Sequence, residues 1–102
     1  PADQNLNEIK KFCEDQTRRI IRLLRPKTIF ACGFEAFRVC DNDRVNRSEK
    51  NEKGDRVYSE GAFDNTIPVF GCPHITGAFY DAADLEVGFQ KCKANILACV
   101  TK

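Results

Sequence analysis

At 102 residues the chain can form at most one small domain, with a core that removes roughly two-thirds of the unfolded surface from water. A composition of 42% hydrophobic and 30% charged residues excludes a disordered chain, and no apolar run approaches the ~18 residues that would span a bilayer. Sixteen basic against fifteen acidic side chains leave a net charge of +1. So weak a global field means that a nucleic-acid partner must be met by a local patch.

In chain order, Leu6, Ile9, Cys13, Ile20 and Leu24 recur at helical spacing, with Asn5 as N-cap and Glu8 at the capping-box position. Pro26 stops this helix at about Arg25. Arg18, Arg22 and Arg25 share a face opposite the apolar stripe, joined by Arg19, and are expected to be solvated. Thr28 to Cys32 is apolar without alternation and reads as a strand buried on both faces. Gly33 turns the chain into a short helix from Glu35 to about Asp41 that directs Phe37 and Cys40 inward. Residues 41–56 are polar, with both signs interleaved and a single Val, and read as a solvated surface loop. Arg56 to Glu60 forms at most a minor strand, Asp64-Asn65-Thr66 is a turn, and Ile67 to Cys72 is a second buried strand. Leu85, Phe89, Cys92, Ile96 and Cys99 form the clearest helical stripe, capped by Asp81 or Asp84, and Gly88 weakens that helix by ~1 kcal/mol relative to Ala.

The six cysteines mostly fall in phase with these stripes or at strand ends, as small buried hydrophobes do. This placement favours reduced thiols and an intracellular chain over a secreted disulfide framework, which remains the alternative. With no CxxC and no Cys/His cluster, neither a metal nor a cofactor is expected.

The pattern is that of an α/β fold, a short parallel sheet flanked by helices. Two strands alone make a poor sheet, so neighbours are expected on both sides, either from the rest of a larger fold or from a partner chain. Ligands of α/β proteins gather outside the carboxyl ends of parallel strands. Two loops lie there: Gly33-Phe34, and Pro73-His74-Ile75-Thr76-Gly77 with the only histidine.

Glu8-Ile9, Cys13, Ile20 to Leu24, Pro26-Lys27, Thr28 to Cys32, Gly33, Ala36, Ile67-Pro68-Val69-Phe70 and His74-Ile75-Thr76-Gly77 together resemble the second half of the uracil-DNA glycosylase superfamily. The resemblance implies half of a three-layer α/β fold, with residues 1–102 a single domain or a C-terminal half-domain. It implies a DNA partner, single- or double-stranded, bearing a damaged base, and hydrolysis of that base's N-glycosidic bond. His74 would be the catalytic donor. Gly33, Phe34, Thr76, Gly77, Phe79 and Tyr80 would be substrate contacts, with Phe79 and Tyr80 offering rings for stacking. The family's first motif, which positions the attacking water, has no counterpart here, so an N-terminal half or a partner chain would supply it, unless Asp64 or Asp81 does. Of the four Cys that hold an iron–sulfur cluster in some members, only Cys13 has a counterpart. The second motif reads His-Ile-Thr where His-Pro-Ser is usual, and Ala78 occupies the place of an apolar wedge. The alternative is a non-enzymatic relative that binds nucleic acid or protein on the same scaffold.

Overall fold

The structure, a computed structural model, describes residues 2–41, 47–74 and 80–101, with side chains from residue 5 onward. Helix α1 (Ala2–Leu24) leads into strand β1 (Ile29–Cys32) and the short helix α2 (Phe34–Cys40). Strands β2 (Arg47–Lys50), β3 (Arg56–Phe63) and β4 (Ile67–Cys72) follow, and helix α3 (Ala82–Val100) closes the chain. The four strands form one mixed sheet in the order β1-β4-β3-β2. Only β1 and β4 are parallel; β3 runs antiparallel to both β4 and β2.

Each boundary has a local cause. Arg25 takes the left-handed conformation (φ 48°) just past α1, its N–H bonding the Ile21 carbonyl, and Pro26 prevents continuation. The β3–β4 hairpin turns through Asp64 (φ 49°) and Asn65 (φ 57°), two residue types that tolerate that region. Helix α1 begins before Asn5, which therefore lies inside the helix instead of capping it.

The sheet is covered on both faces. On one, Ala31, Phe37, Cys40, Phe63 and Val69 form a core with Ile21, Ile29 and Phe34. On the other, Tyr58, Phe70, Cys72 and Cys92 pack with Ile96 and Cys99 of α3. Gly88 is what lets α3 approach: a Cβ there would run into the Val57 carbonyl oxygen and meet Cys72 Cβ at 3.2 Å. The glycine that costs helix propensity thus sets the helix–sheet spacing.

Four expectations are corrected. Residues 41–56 are not all solvated loop: β2 pairs with β3, Ser48 and Ser59 hydroxyls meet at 3.1 Å, and Asp41 is buried, its Oδ1 accepting from the Ala62 N–H at 3.0 Å. The minor strand at Arg56 is instead the longest strand of the sheet, so β4 has neighbours on both sides from this chain. β1 is an edge strand, with Phe30 42% exposed, not a strand buried on both faces. Finally, α1 is turned around. Arg18 Nε donates to the Val39 carbonyl at 3.0 Å and Arg22 holds Asp64 at 2.8 and 3.1 Å, so these arginines lie on the side toward the domain, Arg18 partly buried and Arg22 exposed as expected. Leu6, Ile9, Phe12, Ile20, Leu23 and Leu24 face outward.

Candidate functional site

Strand register builds the site. In the parallel pair Cys32 lies beside Cys72, and the Gly33 N–H donates to the Cys72 carbonyl at 2.8 Å, which carries the pairing one residue past the strand. Gly33 has φ +100°, a backbone conformation that side-chain-bearing residues rarely adopt. A Cβ at Gly33 would lie 3.5 Å from His74 Cβ and 3.7 Å from its Cδ2, so the bare glycine and the exposed imidazole are neighbours on one rim. The two strand-end loops singled out in the sequence therefore do converge.

Register also brings a third residue there. β3 and β4 pair Ser59 with Gly71. Extending this antiparallel register by three residues puts Arg56 level with His74, while the parallel register of β1 puts Phe34 level with it on the other side. Consistent with this row, the Arg56 guanidinium lies over the Phe34 ring, 4.3 Å from its centroid. Among the described residues Arg56 has no carboxylate within ion-pairing distance, so its charge is not neutralised by direct pairing. A guanidinium held over an aromatic face in this way keeps N–H donors for a further partner. The Tyr80 hydroxyl donates to the Arg56 carbonyl at 2.8 Å, tying the segment before α3 to the start of β3. Burial, followed by the Asp55 charge, pushes the Tyr80 phenol up, so it stays a hydrogen-bond donor at neutral pH.

Gly33, Phe34, His74 and Tyr80 are thus placed at one end of the sheet. Thr76, Gly77, Phe79 and Ala78 lie outside the described residues. Arg56 was missed because its loop neighbours neutralise it in sequence. The signal that could have found it was the tight turn at Asp64-Asn65-Thr66, since a hairpin there forces residue 56 opposite residue 74. Asp64 lies in that turn, at the far end of β4 and held by Arg22, so it is removed as a water-positioning base. Asp81 precedes α3 on the rim side.

Beneath the rim, Cys32, Cys72 and Cys92 meet on the α3 face. Hydrogen bonding with Cys72 and burial hold the Cys92 thiol in its protonated form. All six cysteines are free, and among the described residues no group of three or more His, Cys, Asp or Glu side chains is arranged so that it could hold a metal ion. A separate cleft of about 370 Å³ lies beside the rim between the β2–β3 turn and α3, lined by Glu49, Lys53, Asp81, Asp84 and Lys91 among others. His74 does not line it. Among the described residues no helix is long and apolar enough to cross a membrane.

Compared with protein-family models, curated proteins and solved structures, the chain matches none.

Proposed function

We propose that the rim carrying His74 is one half of a base-excision site, acting on nucleic acid in the manner of a uracil-DNA glycosylase. The adjacency of Gly33 and His74 carries this reading, because it sets a hydrogen-bond donor just past the paired carboxyl ends of the parallel strands. Cleaving a base from deoxyribose leaves negative charge on the departing base and an electron-poor sugar. The chemistry requires extrusion of the nucleotide and a fixed donor aimed at the oxygen where charge collects. An imidazole N–H of His74 supplies that donor. Arg56, held over Phe34, meets a backbone phosphate of the extruded nucleotide. The carboxylate that positions water is Asp81, or comes from a chain segment or partner beyond these 102 residues.

The test uses the 102-residue chain and a uracil-containing single-stranded oligonucleotide. The expected result is slow, alkali-revealed strand scission that His74→Ala abolishes while circular dichroism and unfolding stay unchanged. A retained gel shift without scission would replace catalysis by the binding-protein reading. Neither binding nor scission would overturn both.

A further inference from the structure

Helix α1 is 23 residues long and packs through what its sequence marks as the polar side: Ile21 enters the core, Arg18, Arg22 and Glu14 bond to α2 and the hairpin, and the apolar stripe points away. Leu6, Ile9, Phe12, Ile20, Leu23 and Leu24 are each between 53% and 77% exposed, and Cys13 is exposed with them. Such a continuous face on a folded protein marks an interaction surface.

The spacing of the stripe says what fits it. Leu6, Ile9, Cys13, Gln16, Ile20 and Leu23 occupy successive a and d positions of a heptad pattern. Laid antiparallel against a copy of itself, the stripe pairs every a with a d: Leu6 with Leu23′, Ile9 with Ile20′, and Cys13 with Gln16′. The single polar position falls in the central layer, across from a small thiol. Charge supports the same register. Glu8 and Arg19 flank the stripe on the same side, and among the described residues neither has an ion-pair partner in its own chain. In this register Arg19′ comes within two residues, about 3 Å along the axis, of the level of Glu8. Opposed helix dipoles add to the preference for antiparallel pairing. Six buried side chains per copy, at roughly 80–100 Å² each, bring the total to on the order of 1,000 Å², the lower bound of a specific interface.

We infer that α1 is a homodimerisation helix, and that its uncovered stripe is occupied by the α1 of a second copy, antiparallel about an axis passing between Glu14 and Asp15. The inference is independent of the chemistry at the rim.

Sedimentation equilibrium across micromolar concentrations should show a reversible dimer. Ile20→Asp, at a half-exposed position, should weaken it at least ~100-fold without altering the circular dichroism spectrum, because the change appears twice in one interface. Orientation is read by oxidising an equimolar mixture of the native chain and a Cys13→Ser/Gln16→Cys chain, which has no second thiol at the seam. The expected product is a heterodimer whose mapped bond joins Cys13 to the introduced residue 16. A monomer at every concentration overturns the proposal, as does a monomer that floats with anionic phospholipid vesicles. A dimer insensitive to Ile20→Asp, or a native-chain bond between two copies of Cys13, overturns the antiparallel pairing.

Discussion

Replacing Gly88 with Ala sets two effects of opposite sign against each other. In an exposed helix interior the change would stabilise by about 0.8–1.0 kcal/mol, because Gly is the poorer helix former. At this position the new methyl meets the Val57 carbonyl oxygen well inside van der Waals contact, and also Cys72 Cβ at 3.2 Å and Pro73 Cδ at 3.3 Å. The first obstacle is a main-chain atom of β3, and it has no rotamer with which to retreat. Helix α3 must therefore lift by a fraction of an ångström to an ångström, which loosens Cys92, Ile96 and Cys99 against Tyr58, Phe70 and Cys72. Gaps of that width forfeit a quarter to a half of each dispersion contact, and overpacking of this kind costs about 1–3 kcal/mol. Since overpacking outweighs propensity, the net is a loss of about 1–2 kcal/mol, or roughly 5–15 °C in Tm for a domain of this size. Urea unfolding followed by circular dichroism measures it. Ala94→Gly, at an exposed position of the same helix, gives the propensity effect alone. A Gly88→Ala chain as stable as the parent, with the same m value, would refute the seating of α3 against β3.

Tyr58→Phe removes a hydroxyl that donates to Glu60 at 2.7 Å and accepts from Asn95 Nδ2 at 2.7 Å in a site 1% exposed, so about 1–3 kcal/mol of stability should be lost in urea titrations. Hydrogen bonds from the Lys91 ammonium at 2.6 Å, followed by its charge and that of Arg47, hold the Glu49 carboxyl below its ordinary value. A depressed folded value means a contribution present above the unfolded value and lost as pH falls through the folded one. The stability gap between the parent and Lys91→Met, measured by urea unfolding, should therefore narrow as pH falls from neutral through and below the ordinary carboxylate range. Arg56→Gln should weaken binding of single-stranded DNA alike for all sequences and lower the slope of log K against log salt by about 1, as measured by fluorescence anisotropy. In native buffer without reductant, thiol titration should find Cys13 fast and Cys40, Cys72 and Cys92 slow, with six thiols free after denaturation.

Local signals carried the helices and one strand. Pro26, the unalternating run at Ile67 to Cys72 and the Leu85–Cys99 stripe each map onto an element close to the expected bounds. β3 was undervalued because Ser59, Glu60 and Arg56 look solvated. Their polar groups are satisfied inside the fold, Ser59 by the Ser48 hydroxyl and Glu60 by the Tyr58 hydroxyl, while the Arg56 guanidinium lies over the Phe34 ring. The face of α1 was misjudged for a similar reason. Helical spacing shows that an apolar stripe exists but not which side meets the domain, and partners 21 and 42 residues from Arg18 and Arg22 decide that. At the site, the glycine turn and the lone imidazole were legible because both follow apolar strands. Arg56 required knowing that a hairpin would fold residue 56 back beside residue 74.

The mixed sheet explains why three dissimilar residues share one rim. A parallel pair brings two carboxyl ends to the same edge, which supplies the Gly33 turn and His74. A neighbour running antiparallel brings its amino end there, which supplies Arg56. An all-parallel sheet would have placed that residue at the opposite edge. The arrangement is held by backbone register and not by the surface side chains themselves: Cys32 beside Cys72, Ser59 beside Gly71, and the Gly33 N–H on the Cys72 carbonyl. Because side chains alternate between faces, a slip of one residue between β3 and β4 would reverse Tyr58 and Val57 and carry the start of β3 out of level with His74. Burial of Tyr58, Phe63 and Val69 opposes such a slip. The apolar interior of the sheet is therefore what fixes the spacing of Phe34, His74 and Arg56 at its edge.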